Sequence, residues 1–338
     1  MARASSVLTR IGVLIAALGL LAGCAQGENA NGSVGSTGTA PGAQLRLDYA
    51  YYNPESLVIK EQGWLEQELG RGSVEWVQSQ GSNKANENLR AKVIDVGSTA
   101  GTPALLARAN GSPIRTIDVF SQPEWSAIVV TKNSPITGVE QLRGQKVAAT
   151  QGTDPYFFLL QALAAAGLSK TDVEIVNLQH SDGKTALERG DVAAWAGLDP
   201  FMAQTELEAG SRLIYRNLDF NSYGFVNANE DFLAAKPQVA RSVVRAYERA
   251  RAWIAQNPDG AVQTLATAAK LSPDVARRQL QTRTKLAIDP VPGPAQHAVL
   301  ARLVPLLVSG GLVRSEQEAT GALETLFEPR FASEAKGS

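Results

Sequence analysis

The sequence predicts an α/β protein made of two related halves around a cleft, and three observations carry that prediction. Strand-like and helical stretches alternate from Leu45 to about Glu230, the pattern of parallel sheets covered by helices. Four of these strand-like stretches lead into a polar residue followed by proline: Asn53-Pro54, Thr102-Pro103, Asp154-Pro155 and Asp199-Pro200. Each reads as a helix cap with proline at the first helical position, where its missing N–H costs nothing. Two units also match in register, VIDVGSTAGTP (93–103) and VAAWAGLDP (192–200), each after a helix with a basic residue near its end. Ligands of open α/β sheets sit at the carboxyl ends of the strands. The four turns are therefore expected to line the cleft, although any one of them alone also reads as an ordinary connection.

The elements follow in order. LRLDYA (45–50) has the period of a strand, and PESLVIKEQGWLEQELG (54–70) places Val58, Leu65 and Leu69 on one helical face with Gly70 as its stop. VEWVQS, a helix around Leu89, VIDVGS (93–98) and the helical PALLARANG (103–111) come next. The alternation continues through KVAATQ, PYFFLLQALAAAG, VEIVNL, GKTALERG and VAAWAG. Beyond Glu230 amphipathic helices take over. In PQVARSVVRAYERARAWIAQN, Val239, Val243, Tyr247 and Ile254 form one stripe.

The amino terminus reads differently. Arg3 and Arg10 precede the apolar run IGVLIAALGLLAG, too short to span a bilayer comfortably and long enough for a secretion signal. Residues 1–23 are thus expected to be removed. The run ends in Leu21-Ala22-Gly23-Cys24, which resembles the bacterial lipobox, so Cys24, the only cysteine in the chain, is the expected lipidation site. A single thiol excludes an intrachain disulfide. Residues 24–44 lack apolar periodicity and read as a flexible tether. The formal net charge of −1, with no basic patch, argues against nucleic-acid binding.

Three longer stretches carry a family resemblance: VIDVGSTAGTPALLARANGSPI, KNSPITGVEQLRGQKVAATQGTDPYFFLLQALAAAGL and LERGDVAAWAGLDPFMAQTELEAG. Their order and spacing, from about Leu45 to Pro329, resemble the solute-binding lipoproteins of ATP-binding-cassette importers, in the branch for aliphatic sulfonates, taurine and nitrate. The chain departs from that pattern at Ala193, where aspartate is common, and at Asp154, where a small polar residue is usual. The resemblance implies a periplasmic binding protein fold of class II, with two α/β lobes, a hinge and a central cleft. It divides the chain into a first part of lobe 1 (45–125), lobe 2 (126–222), a helical return to lobe 1 (223–330) and a tail (331–338). The crossovers are expected near 121–132 and 220–228. The implied partners are a small organic anion, a permease with its ATPase, and the membrane through the lipid anchor, with the protein a monomer outside the cytoplasm. The implied ligand is an aliphatic sulfonate or a taurine-like compound. Nitrate, a thiamine precursor or an aromatic acid is the alternative.

A sulfonate is a permanently charged acceptor, best held by backbone N–H groups and hydroxyls at helix starts. Ser98 and Thr99 are the first candidates, with Thr102, Gly152 and Thr153 next; the two hydroxyls also read as satisfied turn groups. Tyr51, Tyr52 and Asn53 occupy the first-lobe loop that reaches the ligand in the family. Trp125 is expected at the cleft or as a hinge wedge, and Trp195 as a cleft wall or a core residue. Asp199 reads as a cap with a possible ligand role. Asp154 reads as a cap that satisfies its own helix start, leaving the anion to the first lobe and facing an amino or hydroxyl group at the ligand's far end. His180 and His297 are far apart, and no nucleophile elbow, metal spacing or cofactor motif appears. The rival enzyme reading, a thiamine-pyrimidine-synthase-like protein, lacks its histidine and cysteine set here. His180 itself, in NLQHSDG, lies in a strand-to-helix loop within reach of the cleft and reads as a solvated loop residue in preference to a cleft one.

Overall fold

The computed structural model describes residues 43–337; the expected signal segment, Cys24 and nearly all of the tether lie outside them. The chain first runs through β1 (Leu45–Tyr49), α1 (Pro54–Gln62), α2 (Trp64–Leu69), β2 (Val74–Gln78), α3 (Ser82–Arg90), β3 (Val96–Ala100), α4 (Gly101–Ala109) and β4 (Ile114–Ser121). It then crosses to β5 (Ser126–Val130), β6 (Lys146–Ala149), α5 (Asp154–Ala165), β7 (Glu174–Asn177), α6 (His180–Arg189), β8 (Ala194–Leu198), α7 (Phe201–Ala209) and β9 (Arg212–Tyr215). It returns as β10 (Gly224–Asn229) and continues as helices α8 (Glu230–Ala235), α9 (Pro237–Gln256), α10 (Pro258–Ala269), α11 (Pro273–Thr282), α12 (Pro294–Ala301), α13 (Val304–Ser309), α14 (Glu316–Glu324) and α15 (Arg330–Lys336).

Two sheets result, ordered β2-β1-β3-β10-β4 and β7-β6-β8-β5-β9. They share one topology. In each, the outer strands on one side are parallel, and the strand entering from the other half, β10 or β5, is inserted antiparallel to its neighbours. The sheets are thus mixed where the alternation pattern predicted parallel ones. The antiparallel strands are the ones delivered by crossovers, whose direction an alternation of strand and helix does not report.

Local chemistry explains most element ends. Asn53 caps α1, its Oδ1 accepting from Ser56 N at 3.2 Å, as the Asn-Pro pair predicts. The expected single helix over 54–70 is divided at Gly63, which takes a left-handed conformation (φ 63°) that glycine adopts without cost. Thr102 is not a cap, because β3 runs through Ala100 and α4 opens at Gly101. Asp154 is not one either: Thr153 holds the cap position of α5. Proline opens α9, α10, α11 and α12 as well.

The first sheet and α1, α9 and α15 enclose a core containing Leu47, Val96, Val226, Val243, Tyr247 and Phe331. Val243, Tyr247 and Ile254 of the predicted α9 stripe are buried there, with Val239 packed at its edge. The stretch expected as a tail from 331 instead forms α15, because Phe331 and Ala332 are apolar enough to be drawn into this core. A further core joins α5, β5 and β6 to α4 and α12–α14. The remaining face of the second sheet holds Trp195, Val129, Leu187 and Met202.

Candidate functional site

The strand ends of both sheets and the helix starts that follow them meet between the two lobes. A cavity of about 250 Å³ opens there, lined from the first lobe by Tyr51, Tyr52, Gln78, Ser79 and Gln80 and from the second by Gln179, His180, Ser181 and the stretch Leu198–Phe201. Next to it lies a space of about 10 Å³, room for roughly one water, bounded by Tyr52, Ser82, Ala100, Trp125, Thr153, Asp154, Pro155, His180 and Leu198. Both belong to one interlobe cleft, since Tyr52, His180 and Leu198 border each. The starts of α3, α5, α6 and α7 surround it. The first N–H groups of a helix have no intrahelical acceptor, and the helix dipole adds positive potential there, so converging starts favour an anion.

The lobes touch across this cleft. Gly152, in a left-handed turn (φ 75°), presents its bare face to Asn83, where an added Cβ would lie 3.5 Å from the Asn83 Cβ. At Gly81 a Cβ would stand 2.9 Å from His180 Nε2, so only glycine lets the imidazole approach so closely. His180 is 1 % exposed, and burial pushes its imidazolium down to about 3, leaving a neutral ring. This reverses the expectation of a solvated loop histidine. The reason is local: β7 ends at Asn177 and α6 begins at His180 itself, so the side chain enters the cleft with the first helical turn.

Asp154 occupies a position that capping does not describe. Its carboxylate accepts from Trp125 Nε1 (2.9 Å), Ser222 N (2.8 Å) and Ser222 Oγ (2.7 Å). Trp125 lies on the first crossover and Ser222 on the second. Ser222 Oγ in turn accepts from Thr102 N, 3.2 Å away, at the start of α4. One carboxylate therefore ties both hinge strands to the start of α5. Burial pushes its pKa up, against the hydrogen bonds from Ser222 and Trp125 that favour the charged form. The expectation that Asp154 satisfies its own helix is overturned: its lone pairs go to the hinge.

Asp199 closes the opposite side. It is buried, its Oδ1 accepts from Ala203 N at 2.9 Å, and Arg283 donates to both of its oxygens at 3.0 and 3.3 Å. Arg283 also pairs with Glu206 of α7. The arginine follows α11, in a stretch whose backbone bonds to the first crossover through Glu124 N to Arg283 O and Gln122 N to Lys285 O. The ion pairs thus join the returning helices to the second lobe. Burial pushes Asp199 up to about 6 even beside this cation.

The other expected residues divide. Tyr51 and Tyr52 line the larger cavity, and Tyr52 meets Trp125 edge-on with ring centroids 5.9 Å apart. Trp125, Thr153 and Asp154 border the smaller space. Asn53 is turned away, its amide donating to Tyr247 Oη at 3.0 Å. Ser98 and Thr99 lie inside β3, not in the turn after it. Ser98 N and Oγ donate to Asp48 Oδ1, and Thr99 Oγ1 donates to Ala100 O and accepts from Asn227. Both are fully buried in the first lobe, which removes them as ligand donors. Thr102 is buried at the hinge junction. Trp195 belongs to the second-lobe core, fitted against Gly183 of α6, where an added Cβ would come within 2.6 Å of its Nε1. The residues missed from the sequence are the loop Gln78–Ser82, the pair Gln179 and His180, and Arg283. QGSN after β2 and QHSD after β7 are the signal: each is a strand end running into a small polar helix start.

Comparison with known proteins places this geometry among relatives. The sequence profile of the NMT1/THI5-like family matches residues 56–261. A relative from Escherichia coli, named as an aliphatic sulfonates-binding protein, is 30% identical over 254 residues, covering 73% of this chain and 78% of its own. A Bacillus subtilis protein of the same name is 28% identical over 279 residues, covering 81% of this chain and 82% of its own. Among solved structures, the alkanesulfonate-binding protein SsuA from Xanthomonas axonopodis pv. citri bound to MOPS superposes with a TM-score of 0.75 at 26% identity, over 84% of this chain and 99% of that one.

Proposed function

The chain belongs to the NMT1/THI5-like family, and from that premise we propose that it is the extracytoplasmic substrate-binding component of an ABC importer, taking a small organic anion of the aliphatic sulfonate or taurine type. The observation that carries the reading is the interlobe cavity ringed by helix starts, in a chain two of whose relatives are named for sulfonate binding and another for taurine. A sulfonate offers three acceptor oxygens and keeps its charge at every physiological pH, which suits backbone donors. Binding works by closure: a ligand that touches both lobes favours the closed form by its extra contacts there, and the permease reads that form. The reading is of a carrier without catalysis: Asp154 and Asp199 are committed to the hinge and to Arg283, and burial keeps His180 neutral.

Thermal unfolding of the full chain against ethanesulfonate, taurine, nitrate and a thiamine pyrimidine tests the reading. At a hundred times its dissociation constant a sulfonate adds about 2.7 kcal/mol to the native state, while nitrate and the pyrimidine leave the midpoint in place. A shift with nitrate or the pyrimidine alone would assign the protein to another branch. We further propose anchoring through a diacylglyceryl group on Cys24, supported by the Leu-Ala-Gly-Cys motif. An unmodified Cys24 in the mass spectrum of the membrane-extracted protein would remove that part of the reading.

A further inference from the structure

We propose that Asp154 is a built-in anion: its carboxylate fills an anion seat on the floor of the cleft, shutting small free anions out of the hinge and confining the acid group of the ligand to the larger cavity. The inference rests on the small-anion reading above and says where in the cleft that anion can and cannot sit.

Three donors converge on the carboxylate. Trp125 Nε1 and Ser222 N both point at Oδ2, at 2.9 and 2.8 Å, and Ser222 Oγ points at Oδ1, at 2.7 Å. None of them belongs to α5, the helix that Asp154 opens. Two chain segments from outside that helix, each directing short hydrogen bonds at one charge, make the kind of pocket that holds a bound anion, with the side chain of Asp154 as its tethered occupant. The direction of the bonds favours the ionised form. Oδ2 accepts twice, and Ser222 Oγ already accepts from Thr102 N, which leaves its own proton for Oδ1. Trp125, Asp154 and Ser222 are all buried, so water does not compete for these bonds.

No second anion fits beside the first. The space that Trp125, Thr153, Asp154 and Pro155 border holds about 10 Å³, room for roughly one water. A sulfonate pressed against it would also meet a like charge in a buried setting, where repulsion is poorly screened. The start of α5 offers no alternative, because Pro155 has no N–H and Tyr156 N is bonded to Thr153 O. The cavity of about 250 Å³ beyond Tyr52, His180 and Leu198 is what remains for the ligand's acid group.

Removing the side chain turns the seat into a binding site for a free anion of the same shape. The test is thermal unfolding of the full chain, wild type, Asp154→Ala and Asp154→Asn, in rising formate, with bulky gluconate holding the ionic strength constant. Asp154→Ala is expected to lose several degrees in its midpoint and to regain most of them saturably with formate. Wild type and Asp154→Asn, in which the seat stays filled, are expected not to respond. The indole N–H resonance of Trp125 is a readout that a general salt effect does not move: it shifts when the carboxylate is removed and returns with formate. An Asp154→Ala protein that responds to formate no more than wild type, or an equal response in Asp154→Asn, overturns the inference. Should Asp154→Ala not fold, Asp154→Ser carries the same two measurements. Ethanesulfonate separates this inference from the reading it rests on. If wild type binds ethanesulfonate while Asp154→Ala ignores formate, the sulfonate reading stands and the built-in anion falls; if formate rescues Asp154→Ala while neither protein binds any sulfonate, the reverse holds.

Discussion

Arg283→Ala is expected to destabilise the protein by about 3–5 kcal/mol, the range for breaking a buried ion pair by deleting one partner. Arg283 is 5 % exposed and Asp199 1 %. Removing the guanidinium strands Asp199 in a setting that already holds its pKa near 6 with the cation present. Without it the carboxyl shifts higher still, so the deficit is largest at pH 8 and shrinks as the pH falls through about 6 and Asp199 takes up a proton. Urea midpoints across that range measure the effect, and the double variant with Asp199→Asn recovers most of it, since the orphaned charge is gone. A loss below about 1 kcal/mol, the level of an exposed pair, would refute the buried-pair assignment. Because the pairs link the stretch after α11 to α7, the variant is also expected to scatter as a more open particle.

The second large effect concerns pH and the first lobe. Asp48 is fully buried, and burial pushes its pKa up to about 7 in spite of hydrogen bonds from Ser98. The folded-state pKa is raised above the unfolded value, so the folded state holds the proton longer. Stability from this group is full below about pH 4, falls as the unfolded chain ionises, and is lost once the pH passes about 7. The loss is on the order of 4 kcal/mol. Glu55 and Asp118, also buried and raised, act in the same direction. Asp48→Asn retains an oxygen for Ser98 N and Oγ and removes the ionisation. Relative to wild type the variant should gain stability steadily between pH 4 and pH 7, read from urea midpoints. Parallel pH profiles for the two proteins would exclude a titrating Asp48.

What the sequence disclosed was whatever depends on neighbours along the chain. The α9 stripe, the Asn53 cap with Pro54 opening its helix and the repeated strand-helix units are set within a few residues, and the structure contains them; Pro103, Pro155 and Pro200 do not open theirs, since α4 starts at Gly101, α5 at Asp154 and α7 at Phe201. The cleft was read less well, for a physical reason. Whether Ser98 and Thr99 lie in a turn or inside a strand depends on where β10 pairs with β3, more than a hundred residues away. The partners of Asp154 come from two crossovers, Trp125 on one and Ser222 on the other, which no near neighbour along the chain reports. His180 looked like a loop residue because its burial is supplied by Gly81 of the other lobe. Trp195 was open between core and cleft, and only the packing of Gly183 decides it.

The exchange of β5 and β10 between the sheets also bears on how the chain is made. Until residues 224–229 have been synthesised, β3 and β4 have no strand between them, and their facing backbone groups stay unpaired. An isolated amino-terminal fragment ending at Ser121 would therefore expose two raw sheet edges, the kind that recruit other chains into aggregates. Completion of the first sheet therefore waits for residues made after the second, whose strands all lie between 126 and 215, so the first half of the nascent chain has reason to stay open until residue 229 is made.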